Sequence, residues 1–294
     1  MDGTYLVIGA GGAQGGAVAR RLVEQGDRVR GLSRSGTGTL PGVEWVKGDL
    51  ADRAALRAAF DGVTHASVTL PMADEPALVA DWVDAIVKAA SAGGLRRLVV
   101  NIANRLPAIR TSVDVFETRW AAAEALLASG VPTVVLRPPV YLDNLCAPWV
   151  SEALVADGML TYPIPAGHRV AWLSHDDLGT LTAAAFHRDD LVGTAIDVGG
   201  RDVVTGPELA AAFAAVLDRT VTYREVPVDA FEAGLAEVLG PKRAAGVAET
   251  YRWLAGPGGA DLYEGVPDKV EAAFGVRLTP LYTWIAARTW RAAR

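Results

Sequence analysis

The chain has 294 residues, 51% hydrophobic and 7% aromatic, enough to bury the core of a large α/β domain with a smaller appendage. A formal charge of −6 argues against a nucleic-acid surface, which needs a basic patch, so small molecules are the expected partners. Cys146 is the only cysteine, which excludes an intramolecular disulfide. The start MDGTYLVIGAGG lacks a signal-peptide pattern, and no apolar run approaches the roughly 18 residues that span a bilayer. The cytoplasm is therefore the expected compartment, with no membrane association and no metal.

Strands and helices alternate through the first half. Apolar runs predict strands at Tyr5–Ile8, Arg28–Leu32, Glu44–Lys47, His65–Val68, Leu98–Asn101 and Thr133–Arg137. Between them lie helices at about 13–25, 52–60, 76–92 and 115–129. In the third, Leu78, Val79, Trp82, Val83, Ile86 and Val87 recur at helical spacing, which makes Trp82 a core residue. Strands alternating with helices define a doubly wound parallel sheet, with ligands bound outside the carboxyl ends of its strands. Beyond Arg137 the pattern loosens. RPPVYLDNLCAPW leads to a helix at about 147–157, a short strand lies in TAIDVGG, and GPELAAAFAAVLD forms a further helix. The remainder reads as mostly helical. This divides the chain into a Rossmann-type domain at 1–145 and a smaller, mainly substrate-binding domain at 146–294. Residues of about 168–200 return to the sheet.

The segment YLVIGAGGAQGG runs from a strand into a helix, the context a dinucleotide loop requires. Gly9, Gly12 and Gly15 fit G-x-x-G-x-x-G. The first permits the tight turn, and the others let pyrophosphate and sheet approach the backbone. Ala13 and Gln14 offer N–H groups at the positive end of the helix. The second strand ends in Ser33, Arg34 and Ser35, with no carboxylate to hold a ribose 2′-hydroxyl. A guanidinium matches a 2′-phosphate, so NADP(H) is the expected cofactor; the alternative for Arg34 is a solvated surface arginine. After the third strand, Asp49 and Leu50 suit the adenine, while Asp49 also suits the N-cap of the next helix.

Together VIGAGGAQGGAVARRLVEQG, VRGLSR, GVEWVKGDLAD, LRPPVYLDNL, VAWLSHDDLG, DVGGRDVVTGPELAAAFAAVL and VTYREVP make the chain resemble the NmrA-like atypical short-chain dehydrogenase/reductases over nearly its whole length. Gly11 stands where that family more often has threonine. The resemblance implies a Rossmann domain, NADP(H), and a nicotinamide site lined by Ser67 to Pro71 (with Thr69), Asn101 to Asn104, Arg119, and Pro138 to Tyr141. Asp143 and Asn144 match a family position that often holds Glu-Asn, which implies that they brace this last loop, with contact to substrate as the alternative.

The resemblance does not carry over the usual catalysis. Active classical members use a tyrosine as general acid, a lysine that holds the ribose and tunes it, and a serine that orients the carbonyl. Those positions hold Val115, Arg119 and Asn101. Arg119 is left either to the ribose or to an ion pair with Glu117 or Glu124. Some members of this type, the angucycline- and simocyclinone-type ketoreductases of aromatic-polyketide antibiotic biosynthesis, also lack the tyrosine. The expected activity is accordingly NADPH-dependent reduction of a polycyclic aromatic or quinone-like ketone, with the proton supplied by substrate or solvent. Trp120, Tyr141, Trp149 and Tyr162 would line the pocket, each with core packing as the alternative. A non-enzymatic NADP(H) sensor is the competing reading. His65, His168, His175, His187, Tyr162 and Tyr223 are the replacement acids on offer, with His65 and His187 expected to be structural.

Overall fold

Each strand of the first half is short, and in the computed structural model these strands lie side by side. The structure describes residues 3–73 and 75–290. The strands and helices in order are β1 Thr4–Ile8, α1 Ala13–Glu24, β2 Arg28–Ser33, β3 Val43–Lys47, α2 Arg53–Phe60, β4 His65–Thr69, α3 Pro76–Ala92, β5 Arg97–Asn101, α4 Asp114–Leu127 and β6 Thr133–Arg137. There follow α5 Pro148–Asp157, β7 Met159–Tyr162, α6 His175–Ala185, β8 Thr194–Asp197, α7 Gly206–Leu217, β9 Thr222–Glu225, α8 Val228–Leu239, α9 Pro241–Leu254, α10 Pro267–Phe274 and α11 Leu281–Ala286.

Seven strands form one parallel sheet in the order β3-β2-β1-β4-β5-β6-β8. The chain runs outward from β1 to β3, then returns to β4 on the other side of β1. The crevice for a ligand therefore opens above β1 and β4. Alternation along β1 serves two cores: Leu6 and Ile8 pack on one face, Tyr5 and Val7 on the other. The first core continues through α2, α3 and α4, with Trp82 packed against it; the second lies beneath α1 and α6. Among the described residues, no helix is long and apolar enough to cross a membrane.

The two halves are interleaved. β8 pairs with β6 (Val134 with Thr194 through Arg137 with Asp197), and α6 packs along α1. At the centre Arg105, buried after β5, donates to the carbonyls of Leu262, Glu264 and Val198. One departure from the sequence expectation lies in the C-terminal part. β7 and β9 form a separate two-stranded parallel sheet, Met159 with Thr222 through Tyr162 with Glu225. Each is only four residues long, so periodicity could not mark them.

Candidate functional site

The loop after β1 is shaped by its glycines. Gly9 sits at φ +88°, and its carbonyl accepts the Gly12 N–H at 2.9 Å. A Cβ on Gly15 would fall 2.3 Å from the Gly9 carbonyl oxygen. Gly12 caps α1 with no side-chain hydrogen bond, and the first turn of the helix holds no acid. The helix thus presents uncapped N–H groups around Ala13 and Gln14, the donor set a pyrophosphate takes. The fit to a dinucleotide is structural as well as sequential.

Ser33 lies beside this loop, near Gly11. The hydroxyls of Ser33 and Ser35 both donate to the Thr37 carbonyl, at 3.0 and 3.1 Å, and form a small polar turn. Arg34 is exposed there, and no acidic side chain pairs with it among the described residues. Asp49 accepts the Ala51 N–H at 3.0 Å and is exposed, with Leu50 buried beside it. The N-cap alternative for Asp49 is corrected: Asp52 caps α2, accepting from Ala54 and Ala55. The difference is one of register, since the helix starts at Arg53.

Across the crevice stand Ser67 and Thr69 of β4, Asn101 at the end of β5, and Pro138 just beyond β6. Asn101 Oδ1 accepts the Ala103 N–H at 2.7 Å, and Ala103 sits at φ +59°. A left-handed alanine costs about 1–2 kcal/mol, a strain spent on fixing the Asn101 amide. Its Nδ2 donates to Gln14 Oε1 at 2.8 Å and to the Tyr141 hydroxyl at 3.2 Å. The Tyr141 hydroxyl in turn donates to the same Gln14 oxygen at 3.2 Å. Burial pushes the Tyr141 phenol well above its usual range, so it stays protonated. The His175 ring packs on it at 4.7 Å, while the His175 backbone N–H donates to Asp143 Oδ2 at 2.8 Å. The sequence expectation assigned Asn101, Tyr141 and Gln14 separately; it did not foresee that they meet.

Val115 is buried. Arg119 is fully buried, and its Nη2 donates to the Pro71 carbonyl at 2.6 Å. Among the described residues, its Nε and Nη1 have no partner. The ion-pair alternative for Arg119 is corrected: Arg110 takes both Glu117 and Glu124, at 2.9 and 2.8 Å. Burial alone draws the Arg119 guanidinium down to about 10, which leaves it cationic at neutral pH.

The four expected pocket aromatics do not form one group. Trp120 lies under the Arg110 guanidinium at 5.2 Å. Trp149 packs on Tyr162 and Phe231, and Tyr162 also meets Trp172 and Tyr251 edge-on. The Tyr162 hydroxyl, raised to about 12 by burial, accepts from Asn144 and shares a hydrogen bond with Tyr251. A groove of about 490 Å³ between α3 and α4 includes none of these residues; Ala80, Val83, Val87, Ala121 and Ala125 line it. His65 and His187 lie together away from the crevice, against Tyr5 and Phe186.

A parallel sheet with a glycine loop at its switch point defines a Rossmann-type dinucleotide-binding protein. The chain matches the NmrA-like family over residues 1–291 and belongs to it. It is 30% identical over 240 residues to a (4-alkanoyl-5-oxo-2,5-dihydrofuran-3-yl)methyl phosphate reductase of Streptomyces griseus, covering 78% of this chain and 79% of that one. It is 25% identical over 280 residues to an NAD(P)H azoreductase of Xenophilus azovorans, covering 92% of each. Its fold is similar to that of the NADPH-dependent quinone oxidoreductase QOR2 of Escherichia coli complexed with NADPH. That similarity has a TM-score of 0.73 and 20% identity, and covers 97% of this chain and 99% of that one.

Proposed function

We propose that this protein transfers hydride from NADPH to a polycyclic aromatic or quinone-like ketone, without a tyrosine general acid. At the coarser level the chain is an NAD(P)H-dependent oxidoreductase with NADP(H) as its cofactor. The observation that carries the finer reading is a contrast within one crevice. The uncapped N-terminus of α1 and the free Arg34 suit NADPH, whereas a buried valine occupies the position of the proton donor.

NADPH supplies the hydride when bound. We assign the pyrophosphate to the glycine loop, the 2′-phosphate to Arg34 with Ser33 and Ser35, and the adenine to Asp49 and Leu50. Ser67, Thr69, Asn101, Arg119 and Pro138 would border the nicotinamide and its ribose. Arg119 suits a ribose because its Nε and Nη1 have no partner among the described residues. Cofactor binding thus falls to residues 1–145 and acceptor binding mainly to 146–294, where Tyr162 and Trp149 head the aromatic cluster.

A missing general acid costs on the order of 10²–10⁴ in rate. An acceptor whose conjugated π-system spreads the incoming charge tolerates that loss. The substrates named for the relatives, a conjugated furanone and an azo compound, are of this kind. A hydroxyl beside a quinone carbonyl adds an internal hydrogen bond, and aromatic-polyketide biosynthesis supplies such ketones.

The test is incubation with NADPH and a panel of hydroxylated polycyclic ketones and naphthoquinones, following nicotinamide absorbance and product mass. Turnover is expected with juglone, and methylating its hydroxyl should slow the reaction roughly tenfold, the worth of one hydrogen bond. An unchanged rate removes substrate assistance. Tight NADPH binding with no turnover of any ketone would favour the sensor reading.

A further inference from the structure

Gln14 Oε1 is an sp² oxygen on which two donors converge, Asn101 Nδ2 at 2.8 Å and the Tyr141 hydroxyl at 3.2 Å. Two donors aimed at one carbonyl-type oxygen is the arrangement that stabilises negative charge as it develops on such an atom. The three residues come from the first turn of α1, the end of β5 and the loop after β6, so they meet at the crevice above the carboxyl ends of the strands. Asn101 and Tyr141 are buried, whereas Gln14 is half-buried and stands at the rim.

We propose that the Asn101 amide and the Tyr141 hydroxyl form a two-donor cradle for the carbonyl oxygen of the hydride acceptor, plugged by the Gln14 amide oxygen until the acceptor displaces it. The proposal rests on the reductase reading and adds to it the residues that hold the charge. Both donors are aimed before any ligand arrives. The Ala103 N–H holds Asn101 Oδ1 and thereby directs Nδ2 outward, and the His175 ring wedges Tyr141 in place. Burial keeps the phenol protonated, so it donates without giving up its proton.

Hydride brings two electrons to an electron-poor atom conjugated to the acceptor oxygen, and the nicotinamide leaves as NADP⁺. The displaced π pair moves onto that oxygen, where the cradle holds it. Water supplies the completing proton, and neither Asn101 nor Tyr141 changes protonation state. Gln14 is then an internal competitor, which fills the cradle with an oxygen of the same kind.

The protein saturated with NADP⁺ is titrated with para-nitrophenolate, a planar oxyanion read by the shift of its visible band. NADP⁺ affinity is measured separately by calorimetry and folding by thermal unfolding. The wild type should bind the phenolate. Tyr141→Phe and Asn101→Ala should each weaken that binding roughly tenfold, as loss of one hydrogen bond to a charged group does, and Tyr141→Phe should do so with NADP⁺ affinity unchanged. Gln14→Ala should tighten it a few-fold. Equal phenolate affinity in wild type and Tyr141→Phe overturns the cradle, as does no binding to the wild type. If NADP⁺ affinity falls in step in both variants, the cradle holds the nicotinamide carboxamide and the acceptor assignment is overturned. Menadione turnover is followed in parallel. Phenolate binding that depends on both residues without turnover keeps the cradle and removes the reductase reading. Turnover with phenolate binding indifferent to both residues removes the cradle alone.

Discussion

Arg34 and Arg119 bring the same charge into opposite surroundings. The first follows β2 in water; the second is fully buried with a single carbonyl and a thioether as its partners among the described residues. An exposed guanidinium with no carboxylate nearby contributes little to folding, so Arg34→Ala should leave the thermal midpoint unchanged. It should weaken NADPH by about tenfold or more while barely moving NADH, since charge-assisted phosphate contacts are worth roughly 1.5–3 kcal/mol. Calorimetric titration with both cofactors reads this, and equal losses would sink the phosphate assignment. Arg34 was legible in the sequence because its meaning is local: it follows an apolar strand where an acid is otherwise usual. The meeting of Gln14, Asn101 and Tyr141 was not legible. Those residues lie 87 and 40 positions apart along the chain, and only the strand order brings them together. Arg119 falls between the two cases. Its place on α4 was legible, but the sequence offered a surface ion pair with Glu117 or Glu124; its burial, and the loss of those acids to Arg110, depended on how the chain packs around it.

Among the elements, α1 couples fold and site most directly. Its N-terminus is open because Gly12 provides no cap, and its approach to β1 is close because Gly15 has no side chain. Gly15→Ala would press a methyl against the Gly9 carbonyl at 2.3 Å, so the loop must shift and re-aim its N–H groups. Cofactor affinity is expected to fall by about a hundredfold, the loss of two charge-assisted hydrogen bonds, with the far-ultraviolet spectrum preserved. Wild-type affinity in this variant would show that the pyrophosphate lies elsewhere. The six strands and four helices of the first half were legible because short β-type runs alternate with helical-period stripes. β7 and β9 carried neither signal. Each spans only four residues, β9 buries none of them, and they pair only because α7 returns the chain beside Met159–Tyr162.

For the whole molecule, the sheet separates its chemistry by edge. The crevice residues cluster at the carboxyl ends of the strands, while His65 opens β4 at the other edge, stacked on Tyr5 at 4.7 Å. Burial first, then the neighbouring His187, Arg96 and Arg97, lower the His65 imidazole from 6.5 to about 4. The unfolded chain therefore takes up this proton before the folded one. The stabilising contribution is complete above about 6.5 and drains away as pH falls towards about 4. Urea midpoints should decline across that window, and His65→Phe, which keeps the ring but not its titration, should flatten the decline. An unaltered slope would assign the acid sensitivity elsewhere. The sheet's order has a further consequence, one of time. β6 is flanked on its outer side only by β8, which lies roughly 60 residues later in the chain; at a synthesis rate of about 5–20 residues per second, that edge waits several seconds for its partner. Until β8 arrives, the edge of β6 at Val134, Val135 and Leu136 lacks its strand partner, the kind of edge on which chains aggregate. The ribosome must therefore deliver the linker, α5, β7 and α6 before the cofactor-binding sheet can close.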